Sequence, residues 1–117
     1  MANDYSKKYR CVYALVDPRT DKPFYVGQTC DPGLRIEEHL IEAENALEKE
    51  EGERSAKTKL IHELWDGKLE FVVRLLHEGE YTYREICDLE NEEIRKAHKE
   101  GAVLTNADLK IRKLIHE

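Results

Sequence analysis

The chain has 117 residues, 40% hydrophobic and 38% charged, which fits one domain with a core that closes without staples. No apolar run approaches the roughly 20 residues needed to cross a bilayer, so membrane spanning is excluded. The net charge of -6 argues against a nucleic-acid partner, but residues 36–53 hold eight glutamates and one lysine, which leaves the other 99 residues slightly positive.

Residues 10–16 are rich in strand formers, with Cys11, Tyr13 and Leu15 on one face and Val12, Ala14 and Val16 on the other; Phe24 to Gly27 read as a second strand. The polar loop between them, with Pro18 and Pro23, is short enough for an antiparallel hairpin. Setting Tyr13 opposite Tyr25 would bring both phenols out on one face, and a one-residue slip would separate them. Asp31 followed by Pro32 is a helix start. Ile36, Leu40, Ala43 and Leu47 then carry a helix into the acidic 48–53 stretch, placing Arg35 and His39 on one face. Ser55 caps a second helix with Leu60, Ile61, Leu64 and Trp65 as its apolar stripe, closed by Gly67. Leu69, Phe71, Val73 and Leu75 alternate as a third strand. Thr82 with Glu85 forms a capping box for a third helix ending near Lys99 and Gly101, and residues 108–115 would form a short final helix. The order predicts an α+β fold, a small three-stranded and mainly antiparallel sheet flanked by helices, in one domain spanning 1–117 with its core at about 9–108.

The three cysteines, Cys11, Cys30 and Cys87, are too widely spaced for a disulfide framework or a zinc knuckle and read as free thiols. The amino terminus lacks the apolar stretch of a secretory signal, so a cytoplasmic protein is expected. Basic clusters at Lys7, Lys8 and Arg10, at Lys57 and Lys59, and at Lys110, Arg112 and Lys113 are either solvated faces or contacts for a phosphate backbone. On the third helix Glu90 and Glu93 fall within the arc formed by Ile86, Leu89, Ile94 and Ala97. A carboxylate there is costly unless paired, hydrogen-bonded or bound to a cation; the alternative is that it reaches solvent at the edge of the arc. Tyr13 and Tyr25 read equally as half-buried packing with a polar tip, and Arg35 as a partner of Asp31 one turn away.

Taken together, Cys11-Val12-Tyr13, Tyr25-Val26-Gly27-Gln28-Thr29, Asp31-Pro32, Arg35, His39, Glu90 four residues before Ile94, and Leu104-Thr105-Asn106 resemble the motifs of the GIY-YIG nuclease domain, a family of metal-dependent DNA endonucleases. The first motif has Cys11 where glycine is common, and no glycine pair follows Asn106. The resemblance implies hydrolysis of DNA phosphodiesters by a single-metal mechanism. Glu90 would hold Mg²⁺, with Mn²⁺ as a substitute; Arg35 would stabilise phosphoryl charge; Tyr13 would be the general base; His39 would relay a proton. Tyr25 would orient water or phosphate, Asn106 would order the wall of the site, and Lys57 and Lys59 would contact substrate. With no sequence-reading appendage visible, self-association or a partner protein would supply specificity. A catalytically silent nuclease-like domain that binds nucleic acid or a protein is the other expectation.

Overall fold

The computed structural model describes residues 6–106. In chain order the elements are β1 (Lys8–Asp17), β2 (Lys22–Thr29), α1 (Pro32–Asn45), α2 (Ala56–Asp66), β3 (Val72–Tyr81) and α3 (Tyr83–Lys99). The fold is α+β, as expected: an antiparallel sheet of order β2-β1-β3 with helices on both faces. The expected final helix and the cluster at Lys110, Arg112 and Lys113 lie outside the described residues.

The central strand is apolar on both sides because both sides are covered. Val12, Ala14 and Val16 of β1 and Val26 of β2 pack with Ile86 and Ile94 of α3. On the other face Tyr13 and Leu15 pack with Ala43 of α1 and with Ile61 and Leu64 of α2. The starts of the helices are set by local chemistry. The Asp31 carboxylate accepts from Leu34 N with Pro32 in the first turn, Ser55 accepts from Thr58 N, and Thr82 and Glu85 form the expected capping box.

Three local features differ from expectation. The helix carrying His39 stops at Asn45 and gives way to 3-10 turns at Ala46–Glu48 and Glu51–Glu53, leaving Leu47 exposed. Like-charged glutamates one turn apart disfavour continuation there, and Arg54 folds back to donate to the Leu47 and Lys49 carbonyls. The third strand begins at Val72, not Leu69, and Val73 and Leu75 remain substantially exposed. β3 lies at the side of the sheet away from β2, and the alternation marked a strand whose outer apolar row the helices do not cover.

The hairpin register is also shifted by two residues from the phenol-to-phenol pairing. Tyr13 stands opposite Gly27, and Tyr25 opposite Leu15. A shift of two preserves the face, so the phenols still share a side, with ring centroids 6.2 Å apart. Gly27 makes this arrangement fit. A Cβ built there would lie 2.7 Å from the Tyr13 hydroxyl oxygen and 2.9 Å from Cε2 of Tyr25, so the fully buried Tyr13 ring occupies the space a side chain would need. Gly27→Ala should destabilise the protein by about 1–3 kcal/mol through overpacking. Gly52→Ala, whose Cβ would meet nothing within 4 Å, should change stability by less than about 0.5 kcal/mol. Urea unfolding of the two variants measures the difference.

Candidate active site

α1 begins where β2 ends and passes beside the sheet face that carries the two tyrosines. Its residues at intervals of four and three, Arg35, His39 and Glu42, therefore point the same way. His39 is completely buried, and its Nε2 lies 2.7 Å from the Tyr13 hydroxyl. Its other nitrogen, Nδ1, lies 2.9 Å from Nζ of Lys57 on α2. Lys57 also donates to the Glu42 carboxylate at 3.0 Å. The result is a continuous polar chain from β1 through α1 to α2, walled by the Tyr25 ring, which stands edge-on to His39 at 5.1 Å and lies 5.1 Å beneath the Lys57 ammonium.

The electrostatics follow from burial among cations. Removal from water and the positive charges of Lys57 and Arg35 outweigh the Glu42 carboxylate and lower the His39 pKa to about 3, so the imidazole is neutral at pH 7. Burial and the neighbouring Tyr25 raise the Tyr13 pKa well above a free phenol's, against the opposing pull of Arg35. Burial works against the Arg35 charge, but Tyr13, Tyr25 and Glu38 outweigh it and raise its pKa. For Glu42, burial raises the pKa, while Lys57, His39 and Arg35 prevail and hold it below the usual carboxylate value.

The chain opens onto a cleft of about 250 Å³ lined by Tyr25, Arg35, Glu42, Ser55, Lys57, Thr105 and Asn106. Tyr13, at 0% exposure, does not reach it; Tyr25 is the phenol that does. Arg35 bonds Glu38 at 3.1 Å, while Asp31, its other candidate partner, caps the helix. Asn106 is committed at both ends of its amide: Oδ1 accepts from Val26 N and Nδ2 donates to Val26 O. With Thr105, which donates to the Phe24 carbonyl, it closes the outer edge of β2. Lys59 is exposed on α2, whereas Lys57 is enclosed.

Glu90 lies in the other layer. It shares the buried stripe of α3 with Ile86, Ile94 and Ala97, on the sheet face opposite the tyrosines, and is 5% exposed. Gln28, near the end of β2, donates to its carboxylate at 3.4 Å. Glu93, the second acid of the arc, meets His77 Nε2 at 2.7 Å across to β3. Sequence reading missed Glu42, although its spacing from Arg35 and His39 places it on their face. Nothing local to Lys57 reveals that α2 turns its side chain inward, to His39 and Glu42 at the wall of the cleft.

Among the described residues no three histidines, cysteines or acids converge as a metal-ligand set. Glu90, the carboxylate expected to hold a divalent ion, is nearly enclosed and already accepts from Gln28. Among the described residues no helix is long and apolar enough to cross a membrane. Comparison with protein-family models, with curated proteins and with solved structures finds no match.

The neutral, buried His39 has a consequence for stability. Its pKa is lowered from 6.5 unfolded to about 3 folded, so below pH 6.5 the unfolded chain binds a proton that the folded one refuses. Stability then falls with pH through that window and is insensitive to this group above it. Between pH 7 and pH 5 the wild type should lose about 2 kcal/mol more than His39→Gln, measured by urea unfolding at both values. Equal losses would show that His39 is not held neutral.

Proposed function

We propose that the chain is a divalent-metal-dependent DNA endonuclease that uses the cleft beside Tyr25 and Arg35 to hydrolyse a phosphodiester. One observation carries the reading: a buried Tyr13-His39-Lys57 chain opening, through Tyr25 and Arg35, onto a single cleft. Burying this many polar groups is expensive, and a core that served only packing would not need them. The Arg35 guanidinium presents paired donors to a phosphoryl group, and a bound phosphate would draw it from Glu38. Tyr25 holds the attacking water against phosphorus. As the water oxygen bonds to phosphorus, its proton passes to the Tyr25 oxygen while that phenol passes its own to solvent, and the departing sugar oxygen takes a proton from water as its bond to phosphorus breaks. Tyr13 stands behind Tyr25, and burial with the neighbouring phenol keeps it protonated against the opposing pull of Arg35. Magnesium held by Glu90 would supply charge neutralisation for the phosphoryl and leaving oxygens.

A second reading is a domain of the same design that binds nucleic acid, or a protein, without cutting. The position of Glu90 favours it, because that carboxylate is nearly enclosed and lies across the sheet from the phenols. Incubation with supercoiled plasmid and Mg²⁺ separates the two. The nuclease reading expects single-strand nicks, abolished by chelator and by Glu90→Gln and slowed roughly 100-fold by Arg35→Ala. Salt-sensitive binding without nicking under Mg²⁺ or Mn²⁺ would establish the second reading, and nicking that survives chelation would refute the metal-dependent one.

A further inference from the structure

A lysine ammonium has three donors and no acceptor, and a neutral imidazole carries its one proton on either ring nitrogen. Lys57 Nζ lies 2.9 Å from His39 Nδ1 and also bonds Glu42, so Nδ1 is the accepting nitrogen and the proton resides on Nε2. That N–H faces the Tyr13 hydroxyl at 2.7 Å, which makes the phenol oxygen an acceptor at this bond. We infer that Lys57 is a positioning residue for the proposed hydrolysis: it selects the Nε2–H tautomer of His39, which holds the Tyr13 oxygen as an acceptor and leaves its own proton directed away from the imidazole. His39 in this state is not a base toward Tyr13. It donates to the phenol and fixes the Tyr13 oxygen as an acceptor behind Tyr25, the phenol that reaches the cleft. This assignment differs from a phosphate contact by Lys57, and it rests on the proposed nuclease reading only for its consequence in catalysis.

Every charged or titratable group packed around His39 agrees with the assignment. Arg35 and Glu42 stand on its own helix, Tyr13 on β1, Tyr25 on β2 and Lys57 on α2. Glu42 is the only acid among them, and Lys57 engages it. Lys57 is 8% exposed, so its charge is turned toward the imidazole and Glu42.

Nitrogen-15 NMR of the histidine rings in the full chain at pH 7 tests the tautomer without reference to activity. The wild type should show protonated Nε2 and bare Nδ1 for His39, and Lys57→Met should shift the ring toward the Nδ1–H form and raise the pH at which it titrates. Protonated Nδ1 in the wild type would overturn the inference even if the variant failed to fold. So would a Lys57→Met spectrum and titration identical to wild type. In the plasmid assay Lys57→Met should lower kcat roughly 10- to 100-fold, as loss of a ring-orienting partner does, with KM for DNA and its salt dependence unchanged. A rise in KM with a shallower salt dependence would instead identify Lys57 as a phosphate contact. If the wild type cuts no DNA, the nuclease reading fails, while the NMR result still decides the tautomer.

Discussion

The hydroxyl of Tyr13 sits at the centre of the central strand, and most of the surrounding arrangement answers its need for a partner. An unsatisfied hydroxyl in that position would cost about 1–3 kcal/mol. His39 satisfies it, but an imidazole buried there must itself be satisfied at its second nitrogen, and Lys57 does so. The lysine brings a charge into the interior, which Glu42 and the face of Tyr25 offset. Each step creates the requirement met by the next, and the sequence of partners ends only where the cleft reaches solvent. Among the described residues every buried side-chain nitrogen and oxygen has a partner.

Backbone geometry sets the same constraint from the other side. The Tyr13 ring lies over β2 where a glycine leaves the room, and the two-residue shift in register that places Gly27 there sends Tyr25 toward the cleft. The strand edge that carries Tyr25 is then closed by Asn106, whose side chain stands in for a neighbouring strand at Val26. One phenol is thereby sealed and the other opened, although both lie in similar strand-forming stretches of sequence.

How much of this was legible in the sequence depends on the range of the interaction. Caps, turns and the hairpin were readable because their determinants lie within a few residues: Asp31 with Pro32, Ser55, and Thr82 with Glu85. The shared face of Arg35 and His39 followed from helical periodicity. The break at Asn45 was missed because apolar spacing continues to Leu47, while repulsion among the glutamates works against it. The inward turn of Lys57 was missed for a different reason. Its partners are 15 and 18 positions away, and an i,i+2 pair of lysines on an exposed-looking segment carries no sign that one of them meets an imidazole. Glu93 was readable as a buried acid needing a partner, but only the sheet brings His77 to it.

The acid and the phenols lie in different layers of the fold. Tyr25 and Arg35 lie on the face covered by α1 and α2, whereas Glu90 belongs to the stripe that α3 presses onto the opposite face. Over the middle of the sheet, β1 and β2 stand between them. The layers come together at the end of β2, where Gln28 touches Glu90 from one side and the chain turns through Asp31 into the helix that carries Arg35. Gln28 joins the two layers at the end of β2, where its amide donates to the Glu90 carboxylate and to the Cys87 thiol of α3.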